Sequence, residues 1–407
     1  MHVRRVVITG MGAVSPYGKG VGLLFSLLRR GKSGISRVNA PEGLTVPRIA
    51  GVVPDVGAES IPRKIRRSMS PLSVYAYLAG CEALEQAAVP PGVVSGDRFG
   101  IALGSTLGSP ESLESFFRQY IASASMEQIK SMLFFRIMSH SAAANLAQAL
   151  GVSGRVVSPS AACASGCQAI GLGYEAVAFG RQDYMLCGGT DEFHPLVQGT
   201  FDLLTAASSG YNDMPESAPR PFDANRDGVV CSEGAGLLLL ESLDSAHARG
   251  APVLAEVLGF SSLSDSGSIA EPSSASLAAC MRLALKDAGV QPREIAYINA
   301  HATATELGDI AESRAIAGLF GTEVPVSSLK GHIGHTMAAS GSLETIASVK
   351  MLGEGIIIPT KNLESPDERC AGIRLPRIPV DLPGRIIVKN SFALGGINCS
   401  LVLGGPQ

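Results

Sequence analysis

Residues 154–180 read GRVVSPSAACASGCQAIGLGYEAVAFG, where a short β-branched run gives way to a stretch of alanine, glycine and serine. Valines favour a strand, and a long stretch of small residues favours a helix that packs closely against its neighbours. The segment therefore predicts a strand followed by a buried helix, with Cys163 at the junction. A thiol in the first turn of a helix lies beside unpaired backbone N–H groups and the positive end of the helix dipole. We expect this position to lower the pKa of Cys163 and to favour the nucleophilic thiolate.

A similar alternation of β-branched runs and alanine-rich stretches extends along the 407 residues. This pattern is typical of an α/β protein whose parallel strands are joined by crossover helices. The chain divides near residue 250, and each part begins with a similar run, VVITGMGAVS at 6–15 and LAEVLGFSSLS at 254–264. We therefore predict two similar halves, residues 1–250 and 251–407, with a site at their junction.

The composition excludes several classes of protein. Hydrophobic residues make up 46% of the chain and charged residues 17%, which allows a large core and excludes disorder. The 47 glycines and the lack of tryptophan favour close packing of helices and strands in layers. A net charge of −3 gives no general attraction for nucleic acid or for an anionic membrane. We therefore expect no nucleic-acid partner.

The cysteines and the apolar runs predict the compartment. The 8 cysteines lack a C-x-x-C pair and the rhythm of a secreted disulfide-rich domain, so we expect reduced thiols in the cytoplasm. The run at 6–15 is broken by glycines and favours a strand rather than a signal peptide. The longest apolar run, around LLLL at 237–240, is far too short to span a membrane. We expect a cytoplasmic protein without membrane insertion.

The segment RPFDANRDGVVCSEG at 220–234 begins like a calcium-binding loop. Its first polar residues stand in suitable places: Asp223, Asn225, Asp227 and Gly228. The twelfth position needs a bidentate acid, but it is Gly234, and Glu233 falls one residue early. We therefore predict no metal site here, and instead a hydrogen-bonded turn in which aspartates pair with arginines.

Two of the 7 histidines stand where a ligand could bind. His301 follows the strand-like run IAYINA, and His335 closes SSLKGHIGH in front of a helix of small residues. Strand ends at the carboxyl edge of an α/β sheet are common ligand sites, and Cys163 lies at such a junction too. One cysteine and two histidines at three junctions predict a catalytic constellation.

With these residues in place, the chain as a whole resembles the elongating, class II-like β-ketoacyl-acyl-carrier-protein synthases of the thiolase superfamily. The resemblance runs nearly from end to end and implies an α/β fold of five layers, αβαβα, built from two similar halves. The motifs that show it are VVITGMGAVSPYG at 6–18, AACASG at 161–166, RPFDANRDGVVCSEGAG at 220–236, NAHATATELGDIAE at 299–312, SSLKGHIGHTMAASGSLE at 327–344 and NSFALGGIN at 390–398.

The resemblance implies a decarboxylative Claisen condensation in fatty-acid or polyketide elongation. Cys163 would take the acyl chain from a carrier-protein thioester, with the backbone N–H groups of Cys163 and Leu394 as the oxyanion hole. His301 and His335 would then bind the malonyl thioester oxygen while CO₂ leaves. The chemistry needs neither a metal nor an organic cofactor, because the substrates are carried on the phosphopantetheine of a carrier protein.

The same resemblance implies supporting roles for four residues. Lys330 stands five residues before His335, and Glu344 matches the acid that pairs with that lysine, so a buried pair would orient His335. Thr303 and Thr305 match the threonines that contact the pantetheine arm through their hydroxyl groups.

Several positions depart from the family pattern or are less strongly marked. Leu394 replaces a gating phenylalanine although Phe392 is retained, so we expect control of the acyl pocket to differ. Ala302 replaces the glycine that usually follows the first histidine and adds a methyl group beside a crowded site. Leu107 matches a position that limits chain depth, and residues 134–138 match a stretch that lines the pocket near a dimer interface, although a core role explains both equally well.

A carrier protein and a second subunit are the expected partners. Four basic residues could steer an acidic carrier protein, although such a run is commonly a solvated face: Arg63, Lys64, Arg66 and Arg67. We expect a homodimer, and a heterodimer with a paralogue is an alternative. Three other functions stay open: a chain-length partner subunit, a thiolase-like enzyme acting on coenzyme A thioesters, and a cysteine hydrolase. The second would need another catalytic cysteine, and Cys399 lies outside the expected position.

Overall fold

The computed structural model describes residues 3–39, 49–127 and 129–406. The strands within these ranges are β1 Val6–Ser15, β2 Gly18–Lys19, β3 Ser36–Arg37, β4 Ile49–Ala50, β5 Phe99–Gly104, β6 Val156–Val157, β7 Tyr184–Asp191, β8 Gly234–Ser242, β9 Ala255–Ser264, β10 Tyr297–Asn299, β11 Val326–Ser327, β12 Ile356–Ile357, β13 Val380–Asp381, β14 Ile386–Phe392 and β15 Ile397–Gly404. The helices are α1 Val21–Arg29, α2 Arg63–Arg66, α3 Pro71–Gln86, α4 Pro91–Val94, α5 Pro110–Ser123, α6 Ser131–Ile137, α7 Ser141–Leu150, α8 Ser165–Ala178, α9 Pro195–Leu203, α10 Leu243–Ala248, α11 Ser274–Ala288, α12 Glu306–Phe320, α13 Lys330–Ile333 and α14 Ala338–Glu354.

The main strands form two sections with the same internal order. The first section has the order β6-β5-β7-β8-β1, and the second has the order β11-β10-β14-β15-β9. In each section the first strand in the chain lies at the inner edge, where β1 pairs with β9 along Val6–Ile8. The order of the strands is therefore repeated, as expected for two similar halves. The predicted boundary near residue 250 falls between α10 and β9.

The alternating pattern predicted parallel strands, but the structure contains both parallel and antiparallel strands. Pairing is parallel for β5 with β6 and β7, and for β10 with β11 and β14. It is antiparallel for β8 with β1 and β7, and for β9 with β1 and β15. The pair β14 and β15 is also antiparallel, because the short connection at residues 393–396 can only reverse the chain. Each section is therefore mixed.

Helices cover both sections on two sides and fill the space between them. The helices α8 and α14 contact strands of both sections and lie in the middle layer. The helices α3 and α7 cover the first section, and α11 and α12 cover the second. Strands β1, β7 and β8 are nearly all buried, because helices lie on both of their faces. The result is five layers in the order αβαβα.

The small residues of the middle layer let α8 and α14 approach each other closely. A Cβ atom on Gly166 would lie 2.2 Å from the carbonyl oxygen of Ala338, and one on Gly341 would lie 2.3 Å from the nitrogen of Cys167. Larger side chains at these positions would push the two helices apart. This close approach brings the start of α8, with Cys163, next to the start of α14, which follows His335.

Candidate active site

One cavity, of about 490 Å³, contains the three residues that the sequence singled out. Cys163, His301 and His335 all line it, together with Phe392 and Leu394. Cys163 precedes α8 in the first half, whereas the two histidines follow β10 and α13 in the second half. The constellation predicted from three separate junctions is therefore one site, formed where the two halves meet.

Cys163 lies in a 3-10 turn, Ala162–Ala164, directly before α8. Ala162 has a positive φ of 44°, a conformation that alanine rarely adopts, so the turn presents the thiol at the cost of some backbone strain. The backbone N–H groups of Leu394 and of Cys163 itself hydrogen-bond to the sulfur and act to lower its pKa. The two groups predicted for an oxyanion hole thus converge on the sulfur.

The prediction of an acidic thiol is wrong for this site. Cys163 is buried, and removal from water raises the pKa of its thiol to about 11, with a further increase from the charge of Asp191. The Lys330 ammonium and the two backbone N–H groups lower the pKa but do not outweigh burial. The sequence shows that Cys163 lies at the start of a helix, but it does not show how deeply the thiol is buried.

We expect the pH dependence of alkylation to show this raised pKa. The rate constant for modification of Cys163 by iodoacetamide should rise about tenfold per pH unit from pH 7 to pH 10, because only the thiolate reacts and its fraction grows until the pH reaches the pKa. Mass spectrometry of the Cys163 peptide, with a Cys163→Ala variant as the blank, measures the rate. A plateau below pH 8 would show that the helix dipole outweighs burial.

The two imidazole rings lie edge to face, with ring centroids 5.3 Å apart and an interplanar angle of 86°. Burial lowers the pKa of both rings well below the usual value, and the charges of Lys330 and Lys389 lower it further. Both rings are therefore neutral at pH 7. Nδ1 of His301 and Nε2 of His335 are buried and have no hydrogen-bond partner among the described residues. Neutral rings with free nitrogen atoms are suited to bind a polar group of a ligand.

Ser340 fixes the orientation of His335, although no sequence signal pointed to it. The Ser340 hydroxyl lies 2.9 Å from Nδ1 of His335 and 3.1 Å from the hydroxyl of Thr336. Ser340 follows His335 by five residues, in the first turn of α14. If the serine donates to Nδ1, the ring carries its proton on Nε2 and can donate it to a ligand.

Lys330 and Glu344 lie together as expected, and a third charged residue joins them. Nζ of Lys330 donates to Oε1 of Glu344 at 2.6 Å, and both side chains are almost completely buried. Nζ of Lys389 lies 2.6 Å from the other carboxylate oxygen, Oε2. Lys389 was not predicted from the sequence, where its only signal is a lysine within the apolar run IIVKNSF.

Two buried acids that the sequence analysis also missed hold the backbone of the site. Glu312 accepts hydrogen bonds from the backbone N–H groups of His301 and Ala302, at 2.9 and 2.7 Å. Asp191 accepts from the N–H of Ala338 at 2.8 Å and from the hydroxyl of Ser105 at 2.8 Å. Burial raises the pKa of Asp191 to about 6. Asp191 ends the buried strand β7, whereas Glu312 lies within α12, so no common position in the sequence marks the two acids.

The remaining predicted residues divide between the cavity and the surface. Thr303 and Thr305 line the cavity, with their hydroxyl oxygens 3.1 Å apart. The Phe392 ring lies 6.2 Å from that of His301, and Leu394 is partly exposed at the cavity mouth. Leu107 does not line this cavity and is 47% exposed. Its predicted place in the acyl pocket is not formed by the single chain.

The basic residues of the predicted docking patch surround a second cavity, of about 560 Å³, which is separate from the first. Arg63, Arg66 and Arg67 line it, together with Arg136, which donates to the carbonyl oxygen of Arg67 at 2.7 Å. Lys64 is exposed beside them on α2. The structure thus places four arginines around one surface depression.

The segment at 220–234 forms the turn that its sequence predicted. Arg220 donates to Asp223 at 3.2 Å, and the N–H of Asn225 donates to the same carboxylate oxygen at 2.9 Å. Arg226 pairs with Asp367 at 2.6 Å. The predicted pairing within the turn is confirmed for Arg220 and Asp223, whereas Arg226 pairs with an acid outside the turn.

Comparisons with known proteins agree along the chain. The family described as Beta-ketoacyl synthase, N-terminal domain, matches residues 3–246, and the C-terminal domain family matches residues 254–364. The chain is 35% identical over 410 residues to 3-oxoacyl-[acyl-carrier-protein] synthase 1 of Escherichia coli strain K12, covering 98% of this chain and 99% of that protein. Among the described residues, no helix has the length and hydropathy needed to cross a bilayer.

Solved structures show the same fold. A β-ketoacyl synthase from Burkholderia phymatum STM815 has a TM-score of 0.95 and 39% identity, with coverage of 99% of this chain and 100% of that chain. A type II PKS acyl-carrier protein in complex with its ketosynthase gives a TM-score of 0.91 and 30% identity, with coverage of 99% and 100%. The predicted five-layer fold of two similar halves is confirmed.

Proposed function

The chain belongs to the β-ketoacyl synthase family, and we propose that Cys163, His301 and His335 carry out its decarboxylative condensation. The enzyme is an acyltransferase of fatty-acid or polyketide chain elongation, which joins an acyl-enzyme to malonyl-acyl-carrier protein and releases β-ketoacyl-acyl-carrier protein and CO₂. The observation that supports the assignment most strongly is the convergence of one thiol and two neutral imidazoles in a single cavity.

In the first stage, the sulfur of Cys163 attacks the carbonyl carbon of the acyl-carrier thioester. We assign the N–H groups of Cys163 and Leu394 to the oxyanion that forms, because both lie beside the sulfur and the oxyanion forms on the carbon that the sulfur attacks. The carbon–sulfur bond to the carrier then breaks, and the proton of the Cys163 thiol leaves with the carrier thiol. A thiol with a raised pKa must lose this proton during the attack, and the neutral imidazoles are the bases present in the same cavity.

In the second stage, malonyl-carrier thioester occupies the cavity, and His301 and His335 donate to its thioester oxygen. The malonyl group loses CO₂, and the electron pair of the broken carbon–carbon bond forms an enolate. Its carbon attacks the acyl carbon on Cys163, the bond from that carbon to the sulfur breaks, and the released thiolate takes up a proton from water. Neutral imidazoles suit this step because they donate hydrogen bonds without giving up a full proton.

The carrier arm and the acyl chain use the rest of the cavity. We assign Thr303 and Thr305 to hydrogen bonds with the amides of the pantetheine arm, since both line the cavity together with Arg226 and Leu307. No cofactor besides the carrier-bound phosphopantetheine is required by this chemistry. Leu394 is smaller than phenylalanine and is partly exposed. We therefore propose that it gates the acyl pocket but hinders an entering acyl chain less than a phenylalanine would.

We propose a homodimer as the working assembly. Large apolar side chains of α5 and α6 are between 43% and 76% exposed, among them Tyr120, Ile121 and Phe134. Leu107 is exposed as well, and a second subunit would cover it and complete the depth of the acyl pocket. A paralogous subunit is the alternative occupant of this face. Native mass spectrometry of the purified chain gives the number of subunits.

The docking patch is tested by charge reversal. We expect an Arg66→Glu, Arg67→Glu double variant to raise the KM for carrier-bound substrate about tenfold at low salt, because the patch steers an acidic partner. The rate with a free pantetheine thioester should not change. The matched control, Arg30→Glu with Lys32→Glu, changes the net charge equally at exposed residues elsewhere. An equal effect of both double variants would show that the patch has no specific role in docking the carrier protein.

Intact-mass analysis tests the function itself. The protein is incubated with a panel of acyl-carrier thioesters of different lengths, and its mass is then measured. We expect an increase equal to the acyl group, located on the Cys163 peptide after digestion, and the accepted lengths define the substrate. Subsequent addition of malonyl-carrier protein should remove the acyl group and release CO₂. A protein that takes up no acyl group from any carrier thioester would favour a partner subunit without its own chemistry.

A further inference from the structure

Lys389 is a buried cation that the reaction as described does not use. It lies on β14, its side chain is 0% exposed, and its Nζ is 2.6 Å from Oε2 of Glu344. The same Nζ donates to the hydroxyl of Ser391 at 2.9 Å and to the carbonyl oxygen of Asn390. The contact with Glu344 joins Lys389 to the buried Lys330–Glu344 pair of the active-site region.

Glu344 receives both lysines, one on each oxygen. A single carboxylate balances one ammonium group, so the second ammonium group costs free energy in a buried place. The other carboxylate nearby, that of Glu312, accepts from backbone N–H groups and from Asn390 and forms no ion pair with the described residues. Such a cluster is a poor way to stabilise a fold, which indicates that Lys389 serves the chemistry.

The titratable groups that interact with Lys389 lie on several elements. They are Glu344 on α14, Lys330 on α13, Cys167 on α8, and the site residues His301 and His335. The charge of Lys389 acts on both histidines and favours their neutral forms. It acts on Lys330 in the same sense.

We propose that Lys389 is a positioning residue for the condensation, which holds the second oxygen of Glu344 and keeps positive charge behind the two imidazoles. The charge adds to the effect of burial in keeping both rings neutral, and it lowers the energy of the negative charge that develops when CO₂ leaves. Lys330 and Lys389 carry two positive charges but share the single negative charge of Glu344. One positive charge therefore remains unbalanced by this carboxylate and can act on the active site. This role rests on the proposed function, because it concerns the same enolate.

Two variants separate charge from hydrogen bonding. Lys389→Met removes the charge and the donors with a side chain of similar length, and Lys389→Gln replaces the ammonium group with an uncharged amide that still carries hydrogen-bond donors. Neither leaves a buried acid alone, because Glu344 keeps Lys330 and Glu312 keeps its three N–H donors. Lys350→Met is the matched control, since it removes a partly exposed lysine from α14 that pairs with Glu354.

The rates of Cys163 acylation and of malonyl-carrier decarboxylation are measured separately from pH 4.5 to pH 9. We expect both Lys389 variants to lose about tenfold in decarboxylation at pH 7, with acylation changed by less than about threefold. The acid limb of decarboxylation should move to higher pH, because loss of a positive charge lets the imidazoles bind a proton more easily. Lys350→Met should keep the rate and the pH profile of the unmodified protein.

Other outcomes would overturn the assignment. A normal rate and pH profile in Lys389→Gln, with a loss only in Lys389→Met, would show that a hydrogen bond suffices. Equal losses of both half-reactions, accompanied by a lower melting temperature, would show a structural role alone. Unchanged rates in both variants would show that Lys389 has no role in the reaction. If the unmodified protein itself does not decarboxylate malonyl-carrier protein, the proposed function fails rather than the role of Lys389.

Discussion

Cys163→Ala is expected to abolish both the acyl-enzyme and the condensation, with a loss of at least about 10⁴-fold in rate. No other thiol can replace it, because Cys163 is the only cysteine among the described residues that lines the cavity. The variant should still fold, since alanine removes one buried sulfur and adds no bulk or charge. Intact-mass analysis after incubation with acyl-carrier thioester checks the first expectation, and a release assay for β-ketoacyl product checks the second.

Cys187→Ala is the matched control for that variant. Cys187 is also a completely buried thiol, but it lies on β7 and not in the cavity wall. Both variants should lose a similar, small amount of stability, on the order of 1 kcal/mol, from the cavity that the sulfur leaves. Only Cys163→Ala should lose the acyl adduct. Condensation that persists in Cys163→Ala would refute covalent catalysis by this residue.

His301→Ala and His335→Ala are each expected to reduce malonyl decarboxylation by about 10² to 10³-fold, or about 3 kcal/mol. Each removes one neutral donor from the place where the enolate charge develops. Acylation of Cys163 should fall by less than about tenfold, because the backbone N–H groups of Cys163 and Leu394 support that stage and each variant keeps the other imidazole as a base. Release of labelled CO₂ from malonyl-carrier protein measures the second stage, and the mass of the acyl-enzyme measures the first.

His332→Ala controls for the loss of a buried imidazole from the same region. His332 lies on α13, is as deeply buried as His335, and does not line the cavity. Burial lowers the pKa of its ring to about 3, so it too is neutral. We expect His332→Ala to reduce stability but to keep decarboxylation. Equal losses in both half-reactions for His301→Ala and His335→Ala would contradict the division of roles between thiol and imidazoles.

Much of the fold could be predicted because its signals are local. The run around Cys163 predicted a strand, a junction and a small-residue helix, and the structure has β6, a 3-10 turn and α8 in that order. The similar runs at 6–15 and 254–264 became β1 and β9, which occupy the same place in the two sections. What failed was strand direction, since alternation along the chain does not show that β14 and β15 form a hairpin.

The supporting residues of the site could not be found in the same way. Ser340, Glu312 and Lys389 act on His335, His301 and Glu344, from which they are separated by between 5 and 45 residues along the chain. The runs GDIAE and IIVKNSF do not indicate which side chains Glu312 and Lys389 will contact. Their roles follow from packing of α12, α14 and β14 around one point.

The sequence by itself determined which residues could be reactive and that each stands at the end of a strand or the start of a helix. It did so because backbone preference and motif spacing depend on neighbours along the chain. Only the tertiary structure decided their protonation. Burial raises the pKa of Cys163, against the effect of its helix, and lowers the pKa of His301 and His335, because desolvation and charge depend on groups that come together only on folding.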